Sequence, residues 1–188
     1  MIGVSPAYFV SRYSNRFSPG DVAAGLEGVA SLGLSGFQLE VFHREGLDAW
    51  ARTGAAEIRK ASSGLGLKAH QLVAHFLLEG FADRQNLISD AGIEQMKVVL
   101  EIVDRFDECR VVTVPLPTFG DRAISGEDDY LFLFERCVGK VSRLLAMVED
   151  AGRRMALEIL PGAVVGGIDG FLRLCEHIGT DSLGLNFD

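Results

Sequence analysis

Two acidic residues, Glu158 and Asp188, stand 30 positions apart (188 − 158) near the ends of two apolar runs of the same design. The first run is Met155-Ala156-Leu157-Glu158-Ile159-Leu160-Pro161 and the second is Leu183-Gly184-Leu185-Asn186-Phe187-Asp188. That spacing suits one strand–helix–strand crossover, which sets consecutive parallel strands side by side with both carboxylates at one edge. Neighbouring strands lie about 4.8 Å apart, so two inward carboxylates at one level repel unless a cation or a proton sits between them. Oxygen donors favour Mg²⁺ or Mn²⁺, and an added histidine widens the choice to Co²⁺, Fe²⁺ or Zn²⁺. A lone strand-end acid is usually solvated, or paired with a base such as Arg153 or Arg154. Two on adjacent strands with matched parity favour the cation.

Glu40 and His70 share the inward parity of the second and third strands, where they suit substrate hydroxyls or proton transfer. Taken singly, each is as readily a structural hydrogen-bonding residue. His75 lies five residues after His70 and faces away on a continuous strand. A bend after Ala74 would bring it round as a third substrate-binding candidate. His43, in a loop beside Arg44, reads as solvated, and His177 reads as a helix-end histidine. Tyr8, Phe9, Phe76 and Phe119 follow strands and suit either a lid over a sugar ring or ordinary loop packing. The glycines of the loop Gly162 to Gly167 fit an anion cradle and plain turn geometry equally. The sequence contains no Walker loop or Gly-x-Ser-x-Gly elbow, and no dinucleotide fingerprint follows the first strand.

Six strands must position these groups: Ile2–Ser5, Gly36–Phe42, Leu67–His75, Arg110–Leu116, Arg154–Leu160 and Leu183–Asp188. Five helical stretches separate them. The first opens at Ser18-Pro19, an N-cap followed by proline at the first helical position. The others run over Leu47–Ser63, Ser89–Phe106, Glu127–Ala151 and Ile168–Ile178. Gly33, Gly64 and Gly152 fall near helix ends, as C-terminal caps do. The alternation indicates a parallel α/β fold.

Strand parity separates a barrel from an open sheet. Phe37, Leu39 and Val41 share one face, while Gly36, Gln38 and Glu40 share the other. The fifth and sixth strands repeat this division, with Leu157 and Ile159 opposing Ala156 and Glu158, and Leu183, Leu185 and Phe187 opposing Gly184, Asn186 and Asp188. A doubly wound sheet needs apolar residues on both faces. A (β/α) TIM barrel has helices outside only, with functional side chains at the top of its interior. The barrel fits better, with about six of its eight strands in these 188 residues. The expectation is one domain over residues 1–188 that lacks its C-terminal part, or one whose open edge is covered by a homo-oligomer.

Composition narrows the partners. At 48% hydrophobic the chain can bury a core, and a net charge of −8 argues against nucleic acid and anionic membrane surfaces. No run of about 18 apolar residues and no signal core is present, so the cytoplasm is the expected compartment. Cys109, Cys137 and Cys175 are widely spaced and read as reduced, mostly buried residues.

On five pieces the chain resembles the xylose isomerase-like TIM-barrel superfamily, the sugar phosphate isomerase/epimerase group. They are Ile2-Gly3-Val4-Ser5, Gly36-Phe37-Gln38-Leu39-Glu40, His70, Ala156-Leu157-Glu158 and the run from Leu183 to Asp188. The resemblance covers about the first three quarters of such a protein. It implies that Glu158 and Asp188 ligate a divalent metal (Mn, Mg, Co or Zn). A histidine and a glutamate from two further strands complete the family's site. It implies a metal that holds adjacent oxygens of a sugar or sugar phosphate, with Glu158 as one acid/base moving a proton through an enediolate. With half of that site absent, these residues alone are expected to bind metal weakly and to catalyse poorly. Two other readings stay open: an endonuclease IV-like phosphodiesterase, disfavoured by four histidines and the −8 charge, and a non-catalytic binding or assembly module.

Overall fold

The computed structural model describes residues 2–120 and 124–187. Its six strands form one sheet in the order β1-β2-β3-β4-β5-β6. They are β1 (Gly3–Val4), β2 (Gly36–Glu40), β3 (Lys68–Val73), β4 (Val111–Leu116), β5 (Arg154–Ile159) and β6 (Leu183–Leu185). The β1–β2, β2–β3 and β5–β6 ladders are parallel. Strand order follows chain order and the sheet does not close, as in an incomplete (β/α) barrel.

The chain divides into two compact units, residues 1–76 with 98–112, and residues 77–97 with 113–188. In the first, α1 (Ala7–Tyr13) precedes α2 (Pro19–Ser31). The Ser18 capping box is present: Ser18 Oγ accepts from Asp21 N at 3.2 Å, and Ser18 N donates to Asp21 Oδ2 at 2.8 Å. After β2, α3 (Leu47–Ala49) passes through a π-helical turn (Trp50–Gly54) into α4 (Ala55–Gly64), which packs against α2 and β3. The core here is Val22, Leu26, Val29, Phe37, Leu39 and Ile58, all buried. Phe37, Leu39 and Val41 fill the bulky face of β2, as their parity demands.

In the second unit, a 3₁₀ segment that begins at His75 in the first unit ends at Phe81, and α5 (Arg84–Ile88) follows. α6 (Ile93–Val103) carries the chain back to the first unit. The long α7 (Glu127–Asp150) packs on β5 and α8 (Gly167–Ile178). Its Lys140 is buried, donating from Nζ to the carbonyls of Gly80 (2.8 Å) and Asn86 (2.6 Å), which ties α7 to α5. No described helix is long and apolar enough to cross a membrane.

Several expected boundaries move. The helix expected from Ser89 starts at Ile93, after Gly92 adopts a left-handed φ of 90°. The 3₁₀ segment, α1 and α5 are short helices without an extended apolar period. Gly66 rather than Gly64 has the left-handed backbone after α4. β6 ends at Leu185, three residues before the expected end.

Replacing Ser18 by Ala removes the reciprocal cap at the start of α2. Chemical denaturation should show a loss of about 1 kcal/mol, and a loss near zero would mean the box adds nothing to this helix.

Candidate active site

Glu158 is the penultimate residue of β5, half-buried, with its backbone fixed by pairing to β6. Met155, Ala156 and Leu157 align with Leu183, Gly184 and Leu185, and Asn186 N donates to Leu157 O at 2.8 Å. Carried one step further, that register sets Asn186 level with Glu158. The side chains meet there: Asn186 Nδ2 donates to Glu158 Oε2 at 3.2 Å.

The position level with Glu158 is thus taken by an amide, Asn186. Asp188 itself lies outside the described residues. Among those residues no lysine, arginine or histidine forms an ion pair with Glu158. Arg154 donates instead to the Asp181 carbonyl at 2.7 Å. The strand-end acid is thus held by a neutral amide, with no cationic partner among the described residues.

A cavity of about 260 Å³ opens beside this pair, lined by Glu158, Pro161, Gly167, Ile168, Asn186 and Phe187 among others. Hydrogen bonds tie the exits of β4 and β5 together. Leu160 N donates to Leu116 O (3.0 Å), Phe119 N to Gly162 O (3.0 Å), and Thr118 Oγ1 to Pro161 O (2.7 Å). Pro115 and Pro117 stiffen that exit by fixing φ.

Glu40, His70 and His75 belong to the first unit. Glu40 closes β2 and is 8% exposed, while His75 sits just past β3. The bend after Ala74 exists: Val41 N donates to Val73 O (3.0 Å), and Phe76 N returns to Val41 O (3.4 Å). It swings His75 Nδ1 to 2.9 Å from Glu40 Oε1. The His75 ring also lies 4.6 Å from Phe42, centroid to centroid, which fixes its plane.

His70 reaches the same face as Gly36 by an irregular route. The β2–β3 register shifts between Phe37 and Gln38, pairing Ala69 with Phe37 and Gln71 with Gln38, so that His70 is the extra residue. A Cβ on Gly36 would stand 2.8 Å from both Cδ2 and Nε2 of the His70 ring. Glycine at 36 therefore makes the room that His70 occupies. Its Nε2 is buried without a hydrogen-bond partner.

For a divalent cation, the described residues fit in chemistry and fall short in number. Glu158 and Asn186 supply oxygen donors at one strand edge, and no cluster of three or more His, Cys, Asp or Glu residues occurs among the described residues. The groups whose titration the fold perturbs most lie on α7. Burial pushes the Cys137 thiol up to about 12, which makes it inert, and burial lowers the Lys140 ammonium to about 8. Sequence reasoning missed Asn186. Aligning Met155-Ala156-Leu157-Glu158 with Leu183-Gly184-Leu185-Asn186 residue by residue would have found it.

The family model for the xylose isomerase-like TIM barrel matches residues 26–188. No curated protein matches the chain. Among solved structures, the IOLI protein with a bound zinc atom is 15% identical with a TM-score of 0.71, covering 96% of this chain and 60% of that one. A xylose isomerase-like TIM barrel protein from Mycobacterium smegmatis, in complex with magnesium, is 16% identical (TM-score 0.63; 93% and 58% covered). The apo 3-keto-D-glucoside 4-epimerase YcjR from E. coli is 13% identical (TM-score 0.66; 90% and 64% covered). The chain spans less than two thirds of the length of each.

Gly36→Ala should displace the His70 ring and leave Glu40 and His75 paired. Imidazole NMR spectra would then show the His70 resonances shifted and those of His75 unmoved, with about 1–3 kcal/mol of stability lost to overpacking. An unmoved His70 would mean that the ring does not depend on the glycine.

Proposed function

We propose, from the premise that this chain belongs to the xylose isomerase-like TIM-barrel family, that it forms the larger part of a metal-dependent isomerase or epimerase of a sugar or sugar phosphate. The observation that carries the reading is Glu158: a half-buried strand-end carboxylate, held by the Asn186 amide and paired with no cation among the described residues. Bound zinc and magnesium in two structural neighbours, and an epimerase as a third, support it.

In this reading Glu158 and Asp188 hold the divalent cation, with Mn²⁺, Mg²⁺, Co²⁺ and Zn²⁺ all chemically suited. When bound, the ion polarises a substrate carbonyl and so acidifies the neighbouring C–H. Glu158 Oε2 accepts the Asn186 amide, which sets the carboxylate plane and leaves Oε1 to take up and return the proton. Returning the proton to the neighbouring carbon on the same face gives aldose–ketose isomerisation; epimerisation needs a second acid on the opposite face, so there Glu158 is one of two acid/base groups. Within the first unit by itself, Glu40 orients His75 through Nδ1, which leaves His75 Nε2 for a hydroxyl. His70 packs on Gly36, the first residue of β2, away from Glu40 at its end, and takes no part in this reading. The three reduced thiols suit a cytoplasmic setting.

The test uses the natural gene product that carries these residues, supplied with MnCl₂ in D₂O together with a panel of aldoses, ketoses and their phosphates. Deuterium should enter at the carbon beside the carbonyl of at least one sugar, and Glu158→Gln should slow that exchange by about 10²-fold or more. Exchange at an equal rate in the variant, or in no sugar at all, contradicts the reading.

A further inference from the structure

A second cavity, of about 150 Å³, lies within the first unit beside the Glu40–His75 pair. Its walls are aromatic: Phe17, Phe42 and Trp50. Phe17 stands 5.7 Å from Phe42 and 6.3 Å from Trp50, both edge-on. Phe42 also stacks on His75, within the same unit. The polar groups around the cavity are Asn15, Arg16, His43 and Glu45.

Three features mark this cavity as built rather than incidental. Ser14, with φ 62°, is the one non-glycine residue among those described with a left-handed backbone, and it delivers Asn15 and Arg16 to the rim. Trp50 opens a π-helical turn, a distortion that recurs at functional sites. His43 Nε2 is buried without a partner, so it bears desolvation with no bond in return. Rotation about the broad χ2 of histidine can present it to a ligand.

We infer that this cavity is the subsite for the ring of a neutral, unphosphorylated monosaccharide, walled by Phe17, Phe42 and Trp50 and addressed by Asn15, Arg16, His43 and Glu45. The inference rests on the sugar-enzyme reading and narrows its substrate class. Aromatic faces suit the C–H face of a sugar ring, and its hydroxyls both donate and accept. The mixed rim needs that versatility: Arg16 only donates, and ionised Glu45 only accepts. A phosphate satisfies Arg16 and is repelled by Glu45. The volume is well below the roughly 300–1,000 Å³ of drug-sized pockets, which favours one ring over a disaccharide or a nucleotide.

Trp50 is the chain's one tryptophan, so its fluorescence reports on this cavity alone. The protein is titrated with D-fructose, D-xylose and D-glucose, then with D-fructose 6-phosphate and with inorganic phosphate. The expected result is a saturable change in Trp50 emission with at least one neutral sugar. Fructose 6-phosphate should bind at least tenfold more weakly than that sugar, and phosphate alone should give no change. Arg16→Ala, at an exposed position, and His43→Ala should each weaken the response at least tenfold with the thermal transition retained. No response to any of the three sugars, equal or tighter binding of the phosphorylated sugar, or indifference to Arg16→Ala overturns the inference. If the subsite stands and the metal-enzyme reading fails, the neutral sugar still binds while proton exchange is the same in Glu158→Gln. If only the subsite fails, exchange still depends on Glu158 and Trp50 stays silent.

Discussion

The pairing of β5 with β6 decides which side chains stand level at the end of this sheet, and the chemistry of the candidate site follows from it. Backbone hydrogen bonds lock Met155, Ala156 and Leu157 against Leu183, Gly184 and Leu185. A slip of one residue would turn Leu157 inward and Glu158 out. The ladder therefore places a carboxylate on the small, polar face and brings an amide to meet it. A neutral partner matters here. An arginine in place of Asn186 would compensate the charge and close the position to any cation, whereas an amide orients the carboxylate and leaves its charge uncompensated.

The first unit solves a different problem, that of bringing residues from irregular backbone onto a regular face. His70 arrives through a register shift and the space left by Gly36. His75 arrives through a turn that doubles back on the end of β2. Both devices cost local regularity. The turn brings His75 to the C-terminal end of β2, where parallel α/β folds keep their ligands, whereas His70 packs on Gly36 at the opposite end of that strand. Phe42 then joins the Glu40–His75 pair to the aromatic cavity, so one ring serves as a wall for both.

Much of this architecture was legible in the chain because alternation of two is hard to hide. Phe37, Leu39 and Val41 against Gly36, Gln38 and Glu40 reveals both the strand and its buried face. The Ser18-Pro19 helix start was equally plain, since its cap is local chemistry. What escaped depended on contacts distant in sequence or on weak local preference. Ala7–Tyr13 holds two tyrosines, a phenylalanine and a valine, poor helix formers that tertiary packing overrides. Asn186 escaped because acid was matched with acid, when the ladder matches position with position. The aromatic cavity was invisible for the same reason. Phe17, Phe42 and Trp50 follow no period and meet only once the backbone is folded.

The central claim is that Glu158, oriented by Asn186, shares a divalent cation with Asp188. Electron paramagnetic resonance of Mn²⁺ titrated into this chain tests it most directly, because free and bound ion are counted separately. The account predicts one bound ion per chain, with affinity falling at least tenfold in Glu158→Gln and again in Asp188→Asn. A smaller loss is predicted in Asn186→Ala, which removes only the orienting amide. No bound ion, or binding indifferent to both carboxylate substitutions, would contradict it.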